Sequence, residues 1–381
     1  MENHMKYRKQ IRLFLLTVVT LGSLAGCAGQ AAAAPEGAAQ KPGEPGASQE
    51  QAEMPEVTQL PETMKKEING VEFDLELEVP EALDLNGIKR STATRQAPKM
   101  DAVAGRIEES KTLVEERGTP EGEGSDSNSY YAMYEDNSMV SLNTTMTYST
   151  PFFEKIHNSF REENTDKYTE EKAAFGTPEE CFEKLMGEMA QFGYPLEDCD
   201  YAYYTLDYAT MEQEEVITDK SGEAAVSDSA WSEQDDCYYF FAEQVHDGIP
   251  VYFGEQNFPQ DTLENRPLQA VYSSAGLQRL DAGRLYQFTS TGEQARLADF
   301  EEIAGRIADK YGNILTGASY KAVRAKLYQM PVDTGSGAYE VKLVWLFEVI
   351  ESGKDSETGE DFANTLYTCI DAETGEEVVI E

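Results

Sequence analysis

Between Val71 and Val79 apolar and acidic residues alternate without a break, with Val71, Phe73, Leu75, Leu77 and Val79 on one side and Glu72, Asp74, Glu76 and Glu78 on the other. A period of two predicts a strand with one solvated face, entered through Asn69-Gly70 and ended by Pro80. From about Met100 to Glu116 the period lengthens, placing Val103, Ile107 and Val114 on one side of a helix that stops before Gly118. Tyr130 to Tyr134 and Met139 to Thr147 flank Glu-Asp-Asn-Ser and predict a hairpin.

The strongest helix signal is Thr177-Pro178-Glu179-Glu180: a threonine cap, proline at the first helical position and a glutamate placed to close a capping box. Phe182, Leu185, Met189 and Phe192 form its apolar stripe, and Gly193 ends it. Strand-like runs follow at Tyr201 to Tyr208, Cys237 to Gln244 and Leu268 to Ser273, interrupted by an acidic excursion from Glu212 to Asp235. The order then recurs. Asp299 and Glu302 cap a helix carrying Phe300, Ile303, Ile307 and Tyr311 up to Gly312, and strand-like runs follow at Tyr320 to Met330, Tyr339 to Val349 and Phe362 to Asp371. The expected class is α+β: tandem helix-plus-antiparallel-sheet modules after a disordered N-terminal arm.

That arm begins with Lys6, Arg8, Lys9 and Arg12, followed by the apolar stretch Leu13 to Leu24, the layout of a secretion signal. The stretch is too short for a membrane-spanning helix, which needs about 20 residues. It ends in Leu24-Ala25-Gly26-Cys27, which resembles the lipobox of bacterial lipoproteins. The resemblance implies cleavage before Cys27 and diacylglycerol and palmitate-type chains on it, giving a lipid anchor on the extracytoplasmic face of the cell membrane. Ordinary cleavage and free secretion is the competing reading. Ala28 to about Glu62 is rich in Ala, Pro, Gly, Gln and Glu and has no aromatic residue. Such a segment buries too little apolar surface to offset its chain entropy, and as a random coil it reaches about 30 to 35 Å. The expected divisions are a signal peptide at 1–26, a linker at 27–63, an N-terminal α+β domain at 64–175, and two modules at 176–290 and 291–381.

The formal net charge is −40, from 31 Lys+Arg against 71 Asp+Glu. A chain so acidic repels nucleic acid and anionic lipid, so no nucleic-acid partner is expected and the membrane is reached through the lipid alone. Cationic peptides and Ca²⁺ remain compatible, although no Asp-x-Asp-x-Asp-Gly loop backs calcium. Cys181, Cys199, Cys237 and Cys369 fit no zinc spacing and allow either disulfides or buried thiols. No cofactor or metal is expected. His157 and His246 are the imidazoles left after the signal, and His-Glu-x-x-His, Gly-x-Ser-x-Gly, Cys-x-x-Cys, P-loop and dinucleotide patterns are missing. A cell-envelope hydrolase, glycosidase or peptidase, needs no more than paired carboxylates and stays as an alternative. A solute-binding lipoprotein is the other, without the βαβ pattern it would need.

Gln244-Val-His-Asp-Gly248-Ile249-Pro250-Val251 resembles the strand exit of PepSY-type modules of peptidase propeptides, and Trp345 to Val349 with Tyr367 to Gly375 resembles their final hairpin. A similar repeat occurs in extracytoplasmic regulators of an essential histidine kinase. For the first domain the resemblance is to uncharacterised lipoproteins of gut Firmicutes. The module resemblance implies a cystatin-like helix across a curved sheet and a role in inhibition, chaperoning or sensing, without catalysis. Two binding features follow. Proline is tolerated in strands mainly at edges, so Gly248, Ile249, Pro250, Val251 and Tyr252 are expected at a sheet edge open to an extended peptide. Trp231, in the acidic excursion, is either an exposed recognition anchor or a ring folded onto the sheet. The expected function is a non-catalytic interaction or regulatory lipoprotein binding an envelope protein or peptide, basic where the acidic rim takes part.

Overall fold

The computed structural model describes residues 60–379 except 82, 109, 119–129, 143–144, 157–167, 169–171, 215–216, 219–223, 226–229, 255–261, 315–316 and 355–357. Cys27, the signal, most of the linker, His157 and much of the acidic excursion lie outside the described residues.

The chain opens with β1 (Thr63–Ile68), β2 (Val71–Glu78) and β3 (Lys89–Arg95), then α1 (Met100–Glu108). A second group runs β4 (Leu113–Arg117), β5 (Tyr130–Tyr134), β6 (Met139–Leu142), β7 (Thr145–Ser149), α2 (Pro151–Ile156), α3 (Pro178–Phe192), β8 (Cys199–Leu206) and α4 (Tyr208–Glu214). It continues through the short pair β9 (Ile217–Thr218) and β10 (Ala224–Ala225) to β11 (Cys237–His246), β12 (Ile249–Pro250), β13 (Leu268–Ser273) and β14 (Gly276–Gly283). The last group is β15 (Tyr286–Gln294), α5 (Phe300–Gly312), β16 (Ser319–Asp333), β17 (Tyr339–Lys354), β18 (Asp361–Asp371) and β19 (Glu377–Val378).

Two sheets organise these elements. An eight-stranded sheet has the order β1-β2-β16-β17-β18-β19, with β3 joining β17 to β15; a nine-stranded sheet has β12-β11-β13-β14-β7-β6-β5-β4, with β8 on the other side of β11. The first sheet is therefore built from the two ends of the described chain, and the second from its middle.

This overturns the expected α+β class of tandem cystatin-like modules: the described residues are mostly β, with five short helices among them. The local succession of helix and strands misleads because strand pairing is non-local. β2 pairs in parallel with β16, Val71 opposite Tyr320, and β7 extends β14, Ser149 opposite Arg279. The expected helix from Met100 to Glu116 is corrected too. It ends at Glu108, and Leu113–Arg117 is strand, its Val114 58% exposed. Pairing with β5 decides that stretch over its helical spacing.

The alternator at β2 keeps Val71, Phe73, Leu75 and Leu77 buried. They meet α5, whose Phe300 lies edge-on to Trp345 at 5.0 Å between ring centres. The α3 capping box forms, Thr177 Oγ1 accepting from the Glu180 N–H and the Glu180 carboxylate from the Thr177 N–H, each at 3.1 Å. α3 covers the second sheet, with Phe182 stacked on Tyr201 at 3.9 Å.

Candidate functional site

The sequence-predicted binding segment lies where the two sheets meet. β11 pairs with β13 only as far as Ala242, so Glu243 to His246 run on past the end of that partner. The chain reverses through Asp247 (φ 48) and Gly248 (φ 78). Two successive positive φ values make a type I′ hairpin turn, whose twist suits the strands it joins. It returns as β12, with Pro250 opposite Val245 and Ile249 opposite His246. Val251 then bridges in parallel to Gln329 of β16, and the Tyr252 N–H donates to the Gln329 carbonyl at 2.8 Å. Ile249, Val251 and Tyr252 are buried, and Gly248 and Pro250 are half-buried. The edge expected to be open here is occupied by β16.

A layer of polar side chains crosses this junction. Gln244 Nε2 donates to the Tyr286 carbonyl at 2.8 Å, and Gln244 Oε1 accepts from the Tyr286 N–H at 2.7 Å. Gln329 Nε2 donates to the His246 carbonyl at 3.0 Å. The His246 ring stacks on Phe288 at 4.2 Å, and its Nε2 lies 3.2 Å from Ser91 Oγ. Burial pushes the His246 pKa down, against the opposing pull of Asp247 and Glu197. Their carboxylates stand 3.8 and 3.9 Å from the ring nitrogens.

Deeper in, Glu243 Oε1 lies 3.4 Å from Arg266 Nη2 and 4.0 Å from Lys326 Nζ, with side-chain exposures of 2%, 8% and 4%. Arg266 Nη1 also donates to the Phe241 carbonyl at 3.0 Å, and Lys326 Nζ sits 4.3 Å from the Tyr328 ring centre. Two cations thus share one buried carboxylate. A buried pair gains little net stability over apolar residues of the same shape, yet breaking one is costly. The arrangement ties β11 and β16 to the segment that leads into β13. Sequence reading missed it, although Lys326 and Gln329 interrupting Ala325 to Met330 were the available signal.

Trp231 is half-buried and packs against the cluster of Ile156, Leu206, Met211, Cys237 and Val271 on the second sheet. Lys155 Nζ lies 4.6 Å above its ring and donates to the Ala230 carbonyl at 3.0 Å and Asp235 Oδ1 at 2.7 Å. The ring is folded back onto the sheet. Cys181, Cys199, Cys237 and Cys369 are free thiols, and burial pushes the pKa of each one up, that of Cys369 to about 12.

A half-open cavity of about 410 Å³ separates β1 from the start of α5, lined by Met64, Lys65, Lys66, Asp299, Phe300 and Glu301 among others. Its polar groups are committed: Lys66 pairs with Glu301 at 2.9 Å, and Asp299 accepts from the Glu301 N–H at 2.8 Å. Among the described residues no group of three or more His, Cys, Asp or Glu side chains is placed to hold a metal, and no helix is long and apolar enough to cross a membrane.

The chain matches no protein-family model and no curated protein. Its structure is similar to the crystal structure of an uncharacterized protein from Eubacterium rectale ATCC 33656, at 17% identity and a TM-score of 0.55, over 86% of this chain and 96% of that one. At that identity the likeness speaks for the fold alone.

Proposed function

We propose that this chain is a membrane-tethered, extracytoplasmic lipoprotein that binds another envelope protein or peptide without catalysing a reaction. The observation that carries the reading is the run from the basic start through the apolar Leu13 to Leu24 to Leu24-Ala25-Gly26-Cys27, followed by a linker too polar to fold. An anchor with a reach of about 30 to 35 Å keeps the folded part close to partners at the same membrane. The net charge of −40 favours basic partners.

The geometry supports binding over turnover. His246, the described imidazole that the sequence offers for chemistry, and the buried Glu243 are both tied into the contact between the sheets. Among the described residues, the carboxylates whose pKa burial raises lie on different elements: Glu188 on α3 beside Arg106, and Asp236 accepting from the Tyr208 N–H that starts α4.

The test is metabolic labelling with a palmitate analogue, followed by crosslinking in the native membrane. Label is expected on the wild type and lost in Cys27→Ala, with a reproducible crosslinked partner for the anchored protein. Turnover of a wall-derived substrate, abolished by one Asp or Glu substitution, would overturn the reading.

A further inference from the structure

The junction at β12 is closed, but the first sheet has an edge that is not. β18 pairs with β17 along its full length, Asp361 opposite Lys354 through Asp371 opposite Val344, with no shift of register. On its other side β19 meets only Cys369 and Ile370. Among the described residues no strand pairs with Asp361 to Thr368 on that side. Along such an edge alternate N–H and C=O groups point outward and template a further strand.

Sheet proteins usually guard their edges with lysines, prolines, bulges or short strands, and three of the other edges here follow that rule. β1 carries exposed Lys65 and Lys66. β4 is five residues long and shifts register between Leu113 and Glu115. β15 shifts between Ser290 and Gln294 around Gly292. β8 has none of these guards; its Asp200, Tyr203 and Tyr204 are engaged by other groups, as Tyr367 of β18 is. The β18 stretch, Asp-Phe-Ala-Asn-Thr-Leu-Tyr-Thr, has no proline, lysine, glycine or bulge. Ala363, Asn364 and Thr365 are exposed, and Phe362 and Leu366 are half-buried, which gives an incoming strand small apolar footholds.

Charge selects the occupant. From Glu348 to Glu381 the chain has eleven acidic side chains and one basic one, Lys354. Lys354 is already paired with Asp361 at 2.7 Å, and Asp371, Glu373 and Glu377 are answered by Lys342, Arg90 and Lys310 from neighbouring elements, which leaves the excess of acids toward the Asp361 end. Two copies of this chain meeting edge to edge would bring these acids together, whereas a lysine- or arginine-rich strand would neutralise them. We infer that the open edge of β18 is the surface on which this protein takes up its partner, as an extended basic segment adding a strand beside Asp361 to Thr368. The inference rests on the binding reading above and names its surface.

The probe is an eight-residue peptide of alternating lysine and valine, tested against the full chain in detergent. Its control carries the same charge but has alternate backbone nitrogens methylated, so one edge cannot donate. The parent probe is expected to slow amide hydrogen exchange within residues 361–368 at least tenfold, and the methylated probe to bind at least tenfold more weakly. Equal binding of the two probes, or protection that leaves 361–368 unchanged, would overturn the inference. A variant with Ala363→Lys and Thr365→Lys, checked for an unchanged melting temperature, should weaken the parent probe by a similar factor. In native membranes, a partner crosslinked equally by wild type and variant would sink the edge while leaving the binding reading in place. No partner crosslinked to the wild type would sink the binding reading itself.

Discussion

The side chain of Gln244 pairs with the backbone of Tyr286 as a neighbouring strand would, donating to its carbonyl at 2.8 Å and accepting from its N–H at 2.7 Å. Gln244 belongs to the second sheet and Tyr286 opens the strand with which the chain returns to the first. Gln96 Nε2 also donates to the Tyr286 carbonyl, at 2.9 Å. Removing the Gln244 amide therefore orphans chiefly the buried Tyr286 N–H. Gln244→Leu is expected to cost about 1 to 3 kcal/mol, the usual penalty for one buried unsatisfied group. Gln244→Glu should cost more, because it keeps the acceptor but sets a carboxylate against the Tyr286 carbonyl. Urea unfolding of the two variants checks both magnitude and order; a milder loss for Gln244→Glu would show that the paired geometry is not what matters.

Gly312 gives a prediction whose sign is informative. Alanine is the better helix former by about 1 kcal/mol, so Gly312→Ala at the end of α5 should stabilise if the glycine only terminates the helix. In the structure a Cβ at Gly312 would overlap the Asn69 carbonyl oxygen in the turn between β1 and β2. Net destabilisation is expected, seen as a lower melting temperature. A raised one would mean that the turn moves aside freely.

Much of the secondary structure was legible, and the reason differs by element. The Val71 to Val79 alternation and the Thr177 capping box are local signals, read where they act. The polar strand Gly276–Gly283 was not legible, because its Gln278 and Ala282 are buried by β13 and β7, the latter more than a hundred residues away in sequence. The same non-locality defeated the fold class. It also hid the cover over Val251, since Pro250 does signal a strand with one unneeded N–H but cannot say that Gln329 fills the neighbouring place.

The buried trio of Glu243, Arg266 and Lys326 should behave as one unit. Glu243→Gln leaves two cations inside the protein without their shared carboxylate, and a loss of about 3 to 5 kcal/mol is expected. Replacing the three together, by Leu, Leu and Met, should lose far less, because the desolvation cost disappears with the charges. Denaturant midpoints of the single and triple variants give the coupling directly. Losses that simply add would show that the three side chains do not interact.

His246 sets an acid limit on the contact between the sheets. Burial holds its folded pKa below the unfolded value of about 6.5. The unfolded chain therefore takes up the proton first, and stability present above about pH 6.5 is lost as pH falls toward the folded pKa. The groups facing the ring bear on the size of this effect. Asp247 and Glu197 favour the protonated ring and moderate the loss, while Ser91 and the stacked Phe288 carry no charge. His246→Gln keeps a polar atom toward Ser91 without a titrating group. Both proteins will lose stability at low pH through their many carboxylates, so the quantity to read is the difference between them from pH 7 to pH 5. The wild type should fall more steeply than His246→Gln across that window; parallel slopes would show that the imidazole does not titrate out of step with the unfolded chain.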